Sequence, residues 1–176
     1  MDGYVLPSKL LTNLSTAADI VRGHDFFHIF SHFDADGICA ASILGKMLQR
    51  AGKEFQITIF DVLNEPEVEI IENTESECTI VSDLGASHIA RLDAIDRDMI
   101  ILDHHTVIDV ARRACYINPH LYGVDGMTSG CGSTLALFLA VTLDERNWDL
   151  SQLAMAGVSG DKQTLNGVHG FNEYLL

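Results

Sequence analysis

Lysine and arginine are scarce in this sequence, eleven in 176 residues against twenty-five aspartates and glutamates, for a formal net charge of −14. A chain that grips long nucleic acid through its phosphates carries a basic stripe, and the only local concentration here is the pair Arg112-Arg113. Long apolar runs are missing too: nothing approaches the roughly eighteen consecutive apolar residues of a membrane span. Met1-Asp2-Gly3-Tyr4 has neither the basic nor the apolar region of a secretory signal. The expectation is a cytoplasmic protein with no membrane partner. Cysteine is limited to Cys39, Cys78, Cys115 and Cys131, with no Cys-x-x-Cys pair, so these read as reduced thiols packed as small hydrophobes. One tryptophan and an aromatic content of 7% offer no obvious ladder for stacking bases.

What the chain does have is acid, apolar runs and short polar turns between them. Seven acids lie between Asp61 and Glu77, and no lysine or arginine occurs from Glu54 to Ala90. That stretch reads as a solvated surface, with a docking face for a protein partner as the sharper alternative. Helical spacing predicts a helix over residues 8–22, capped by Ser8, and another from Asp36 to about Ala51. A third helix covers roughly 87–95, and two strongly apolar ones run over 131–143 and 150–158. Short apolar runs at 26–33, 55–60, 78–82, 99–102 and 115–117 read as strands. Pro66 breaks the acidic stretch, which has room for a short helix. This alternation predicts an α/β fold with a largely parallel, doubly wound sheet and helices on both faces. In such sheets ligands bind beyond the carboxyl ends of the strands.

The chemistry-bearing residues sit at those ends. Ser31-His32-Phe33-Asp34-Ala35-Asp36-Gly37 follows the first strand, Ser82-Asp83-Leu84-Gly85 another, and Asp103-His104-His105 a third. Gly157-Val158-Ser159-Gly160-Asp161-Lys162 follows the last apolar helix. Each alone is a weak signal: an Asp-rich turn capping a helix explains the first as well. Together they would crowd carboxylates along one sheet edge, which is unfavourable without cations. Carboxylates with one or two imidazoles suit octahedral Mn²⁺ or Mg²⁺ better than structural zinc. The loop Gly126-Met127-Thr128-Ser129-Gly130-Cys131-Gly132-Ser133-Thr134 leads into an apolar helix, where free amides attract anions; a plain glycine-rich turn is the competing reading.

The order and wording of these segments, from about His28 to Gln163, resemble the DHH phosphoesterase superfamily. Its namesake triplet stands at Asp103-His104-His105, and the forms His32-Phe33-Asp34-Ala35-Asp36-Gly37 and Gly160-Asp161-Lys162-Gln163 are most similar to archaeal RecJ-like exonucleases. The resemblance implies a two-cation centre, with Mn²⁺ expected and Mg²⁺ as the substitute. It implies Asp34 on one metal, Asp36 on the other, Asp83 bridging both, and His104 and Asp161 completing the second site. His105 would face the substrate phosphate, Asp103 would orient a neighbouring imidazole, and Ser129, Gly130, Gly132 and Ser133 would contact phosphate. Several family members place the first histidine four residues before the paired aspartates, where this chain has Phe30. His32, two residues before Asp34, is therefore open to direct or indirect service of the first metal. The family's smaller C-terminal domain, with its Gly-Gly-Gly-His segment, is not found in residues 1–176, so the expectation is one catalytic domain. The implied substrates are single-stranded DNA or RNA, with short oligonucleotides, cyclic dinucleotides or pyrophosphate as the alternative. A non-catalytic scaffold among replication or repair proteins is the third possibility.

Overall fold

The computed structural model describes residues 5–176; Met1-Asp2-Gly3-Tyr4, read above for a secretory signal, lies outside them. In chain order the elements are α1 (Ser8–Gly23), β1 (Phe26–His32), α2 (Ala35–Arg50), β2 (Glu54–Phe60), α3 (Glu65–Asn73), β3 (Cys78–Ser82), α4 (Ile89–Leu92), β4 (Asp98–Leu102) and β5 (Cys115–Ile117). The short α5 (Gly126–Ser129), then α6 (Gly132–Leu143) and α7 (Ser151–Gly160), complete them. The strands form one parallel sheet in the order β2-β1-β3-β4-β5. The chain leaves β1 to one side for β2 and to the other for β3, so a topological switch point lies between β1 and β3.

Alternation along the strands builds a core on each face. Phe27, Ile29, Ile80, Ile100 and Leu102 pack with α1, α2, α6 and α7 on one side. Phe30, Val81, Met99 and Ile101 pack with residues of α3 and α4 on the other. The predicted doubly wound α/β architecture is present. In α6, apolar residues occupy every face from Leu135 on, and every residue from Gly132 to Ala140 is buried, as an all-round apolar pattern requires.

Two local expectations change. Ser8 does not cap α1: the cap position is Pro7, without a side-chain bond, and Ser8 already lies inside the helix. Pro66 does not break the acidic stretch. It sits in the first turn of α3, where its missing N–H costs nothing, behind a capping box of Asn64 and Glu67. The acids there are partly structural: Glu72 takes a two-pronged bond from Arg91 at 2.7 Å, and Glu77 accepts from the amides of Asp25 and Phe26.

Helices α2, α6 and α7 meet so closely that glycine is needed at their contact. A β-carbon at Gly157 would collide with Ser133 Oγ and lie 2.7 Å from Asp36 Oδ1. Gly157→Ala is therefore expected to destabilise the fold by about 1–3 kcal/mol. Chemical denaturation measures it, and an unchanged midpoint would contradict this packing.

Candidate metal centre

Three strand ends and the end of one helix deliver the site. Asp34 caps α2, its Oδ1 accepting the Gly37 amide at 2.9 Å, and Asp36 follows in the first turn. Asp83 directly follows β3 with φ 58, a left-handed backbone that a non-glycine residue adopts at a cost of about 1–3 kcal/mol and that clusters at functional sites. Asp103 follows β4, and Asp161 directly follows α7 as its C-terminal cap.

The ligand-type atoms fall into two sets that share Asp83. In the first, His32, Asp34 and Asp83 place one atom each within 4.8 Å of the others. His32 Nε2 bonds the Asp61 carbonyl at 3.1 Å; a carbonyl only accepts, so Nε2 carries the proton. The lone-pair nitrogen Nδ1 then faces Asp34 Oδ2 at 3.1 Å and Asp83 Oδ2 at 3.5 Å. In the second, Asp36, His104 and Asp161 are equally close. His104 Nδ1 bonds the Gly126 carbonyl at 2.8 Å, which turns Nε2 toward Asp83 Oδ1 at 3.0 Å and Asp36 Oδ2 at 3.9 Å.

These residues are of the kind that can hold divalent cations. Asp83 is 1% exposed, and among the described residues neither of its oxygens has a hydrogen-bond partner, nor does His32 Nδ1. The imidazoles lie near Asp83 but off the line a hydrogen bond needs. Buried polar atoms are rarely left so, and lone pairs facing carboxylates repel unless a positive charge lies between them. A proton can supply it. Asp83 foremost, with Asp34, pushes the His32 pKa up to about 9 against burial. Burial opposes charge on His104, yet Asp83 and Asp36 push it to about 10. Burial raises Asp83 itself to about 6. Divalent cations satisfy the same atoms, and a histidine whose other nitrogen is tied to a carbonyl is the usual form of such a ligand.

Asp103 serves His105, which settles the partner the sequence left open. Its Oδ1 accepts from His105 Nδ1 at 2.8 Å and from the amides of His104 and His105 at 2.7 and 3.2 Å, while Oδ2 accepts from the Ala86 amide at 2.6 Å. Burial alone would raise this carboxyl, but the His105 bond, the neighbouring imidazole charges and the amides hold it below the usual range. His105 is half-exposed beside it, its pKa raised chiefly by that same bond. In Asp103→Asn an amide N–H must point at an N–H donor, leaving buried groups unpaired. The expected loss is about 3 kcal/mol in denaturant unfolding. A depressed carboxyl stabilises above its unfolded pKa and ceases to as pH falls through the folded one. The wild type should therefore lose part of this advantage below about pH 4; equal stability of both proteins at neutral pH would refute the assignment.

The glycine-rich loop is used differently from expectation. The amides of Gly132 and Ser133, at the start of α6, donate to Asp36 Oδ2 and Oδ1 at 2.6 and 3.0 Å. A carboxylate of the chain thus takes the place an anion would occupy at this helix terminus. The Gly130 amide donates to Gln163 Oε1 and the Ser133 hydroxyl to the Ala154 carbonyl. Of the four expected phosphate contacts only Ser129 is not buried, its hydroxyl paired with Thr128. The carbonyls of Asp61 and Gly126 were not legible in the sequence, and Gln163 stood there in a signature segment without an assigned role. Backbone groups have no signature there. Of the remaining histidines, His28 bonds Thr58 and stacks on Phe30, while among the described residues His120 Nε2 is buried without a hydrogen-bond partner.

A cavity of about 410 Å³ adjoins the site, reached by His32, Asp103 and His105 and walled by Val62, Leu63, Leu84, Ile108 and Met127. Its lining includes no lysine or arginine.

Comparison with known proteins bears on the fold and the family. An uncharacterized protein of Methanocaldococcus jannaschii is 30% identical over 167 residues, 89% of this chain and 37% of that one. The chain therefore spans little more than a third of that relative's length. The fold is similar to an exonuclease RecJ bound to manganese, with TM-score 0.77 and 23% identity over 97% of this chain and 47% of that one. RecJ of Thermus thermophilus in complex with Mn²⁺ gives TM-score 0.74 and 22% identity, covering 97% of this chain and 26% of that one. CDC45 of Entamoeba histolytica gives 0.59 and 18%, covering 89% and 33%. The model of the DHH family, N-terminal domain, matches residues 27–159, an interval that holds every ligand-type residue above except Asp161. With three of the four predicted segments inside that match and the sheet and switch point around them, this chain belongs to the DHH family.

Proposed function

We propose that this chain hydrolyses phosphodiester bonds of single-stranded DNA or RNA with two divalent cations, Mn²⁺ by preference and Mg²⁺ as substitute. The observation that carries the reading is the Asp83 carboxylate, buried, without hydrogen bonds among the described residues, and facing a separate ligand set with each oxygen. His32, Asp34 and Asp83 would hold one cation; Asp36, His104, Asp161 and the other oxygen of Asp83 would hold the second. Bound there, the cations would acidify water and neutralise phosphate charge. The chain's own part is to hold the ligands in place before substrate arrives. The Asp61 and Gly126 carbonyls set the two imidazoles, the α6 amides set Asp36, and Asp103 keeps a proton on His105 Nδ1. His105 then presents its other ring nitrogen to a phosphate as a donor or proton carrier.

The cavity's apolar walls support a substrate with a nucleoside beside the scissile phosphate, rather than pyrophosphate. The lack of lysine and arginine in its lining, with the net charge of −14, favours short strands over long ones. That keeps short oligonucleotides and cyclic dinucleotides as the second reading. Likeness to RecJ supports exonuclease action, and acidic α3 would be the docking face for any replication or repair protein that binds this chain. The test offers Mn²⁺-loaded protein end-labelled DNA and RNA, dinucleotides, cyclic dinucleotides and pyrophosphate in parallel. Release of mononucleotides from strand ends supports the first reading and cleavage of dinucleotides alone the second. Turnover of pyrophosphate only, or of nothing, would overturn both.

A further inference from the structure

We propose that Gln163 is a positioning residue that holds the second cation site in register and joins it to the C-terminal turn that carries Asn172; this rests on the two-cation reading above. Lys162 adopts φ 60, with its amide bonded to the Ser159 carbonyl at 3.1 Å and the Gln163 amide bonded to the Val158 carbonyl at 3.0 Å. This is the pattern in which a left-handed residue closes a helix and reverses the chain. The reversal brings the Gln163 side chain back under Asp161, 5% exposed.

All four hydrogen-bonding positions of that side chain are then used. Nε2 donates to Asp161 Oδ2 at 2.6 Å and to the Gly126 carbonyl at 2.8 Å. Oε1 accepts from the Gly130 amide at 2.9 Å and from Asn172 Nδ2 at 2.8 Å. The Gly126 carbonyl can only accept and the Gly130 amide can only donate, so the orientation of the side chain is determined. The Gly126 carbonyl is also the group that fixes His104 Nδ1. One side chain therefore holds a carboxylate ligand directly and the anchor of an imidazole ligand, both in the second set. It touches nothing in the first set of His32 and Asp34. Beyond it, Asn172 Oδ1 accepts from Thr134 Oγ1 at 2.7 Å, with both residues fully buried.

The consequence is selective. Partners that orient ligands typically change metal affinity by about 10–100-fold, and here the change should fall on one of two sites. In Gln163→Glu the acceptor half of the side chain survives, while an oxygen replaces the donor facing Asp161 and Gly126. Thr134→Val removes the far bond of the same network. Calorimetric titration of the metal-free full chain with Mn²⁺ reads the outcome. Wild type should take up two ions, and Gln163→Glu should bind one as before and the other about 10–100-fold more weakly. Thr134→Val should keep both affinities even where its melting temperature falls. Equal binding by Gln163→Glu and wild type would overturn the proposal, and so would equal weakening in Thr134→Val, which would mark a packing role. Should Gln163→Glu fail to fold, Asn172→Ser frees one side of the amide and should weaken the second site alone; unchanged binding there is also fatal. A wild type that takes up no Mn²⁺ defeats the two-cation reading, and this inference with it.

Discussion

Asp83→Asn should abolish metal-dependent hydrolysis while leaving the fold standing. Asparagine keeps the shape of the side chain and removes a charge that burial disfavours, as the rise of the Asp83 pKa to about 6 shows. It cannot offer an anionic oxygen to both ligand sets. The expected loss is several kcal/mol of transition-state stabilisation, about three orders of magnitude in rate. A second signature does not depend on turnover. A ligand at 100 times its Kd stabilises the folded state by about 2.7 kcal/mol, which for a chain of this size raises the melting temperature by roughly 5–11 °C. Mn²⁺ should produce such a rise in wild type and little or none in Asp83→Asn. A variant that keeps either the metal-induced rise or the wild-type rate would remove Asp83 from its bridging place.

His105→Ala should separate catalysis from metal binding. His105 is held by Asp103 through Nδ1 and lines the cavity, half-exposed, outside both principal ligand sets. Losing a group that stabilises developing phosphate charge costs about 10²–10³-fold in kcat. The Mn²⁺ affinities and the melting rise should stay as in wild type. Together the two variants distinguish a ligand from a substrate-facing residue: one loses metal and rate, the other rate alone. His105→Ala losing a metal ion would instead favour the third cluster, Asp83, His104 and His105, which also lies within ligand distance.

Much of the fold could be read from residues whose physics is local. Residues Cys78–Ser82 and Cys115–Ile117 are apolar runs too short for helices and bounded by polar turns, and both are strands with the predicted limits. The four chemistry-bearing segments announced themselves because carboxylates and imidazoles after apolar strands have few other reasons to gather. What could not be read depends on chain segments distant in sequence. Asp36 takes the amides of Gly132 and Ser133, 96 and 97 residues away, so the loop that looked free for phosphate is spent inside the protein. The orientation of His32 and His104 is set by two backbone carbonyls, and a carbonyl is the same in every residue. For His32 the count of residues before Asp34 left its service open, and the orientation of its ring rests on the Asp61 carbonyl, with Nδ1 3.1 Å from Asp34 Oδ2. The cap at Ser8 and the break at Pro66 failed for a simpler reason: each residue is compatible with a helix's first turn as well as with its boundary, and the acidic stretch does hold the short helix expected there.

The most direct test of the account is anomalous diffraction from crystals of the chain grown or soaked with Mn²⁺. Two manganese peaks are expected on either side of Asp83. One should be ligated by His32 and Asp34, the other by Asp36, His104 and Asp161, with one Asp83 oxygen on each. A single peak, or peaks that leave Asp83 without a metal contact, would contradict it.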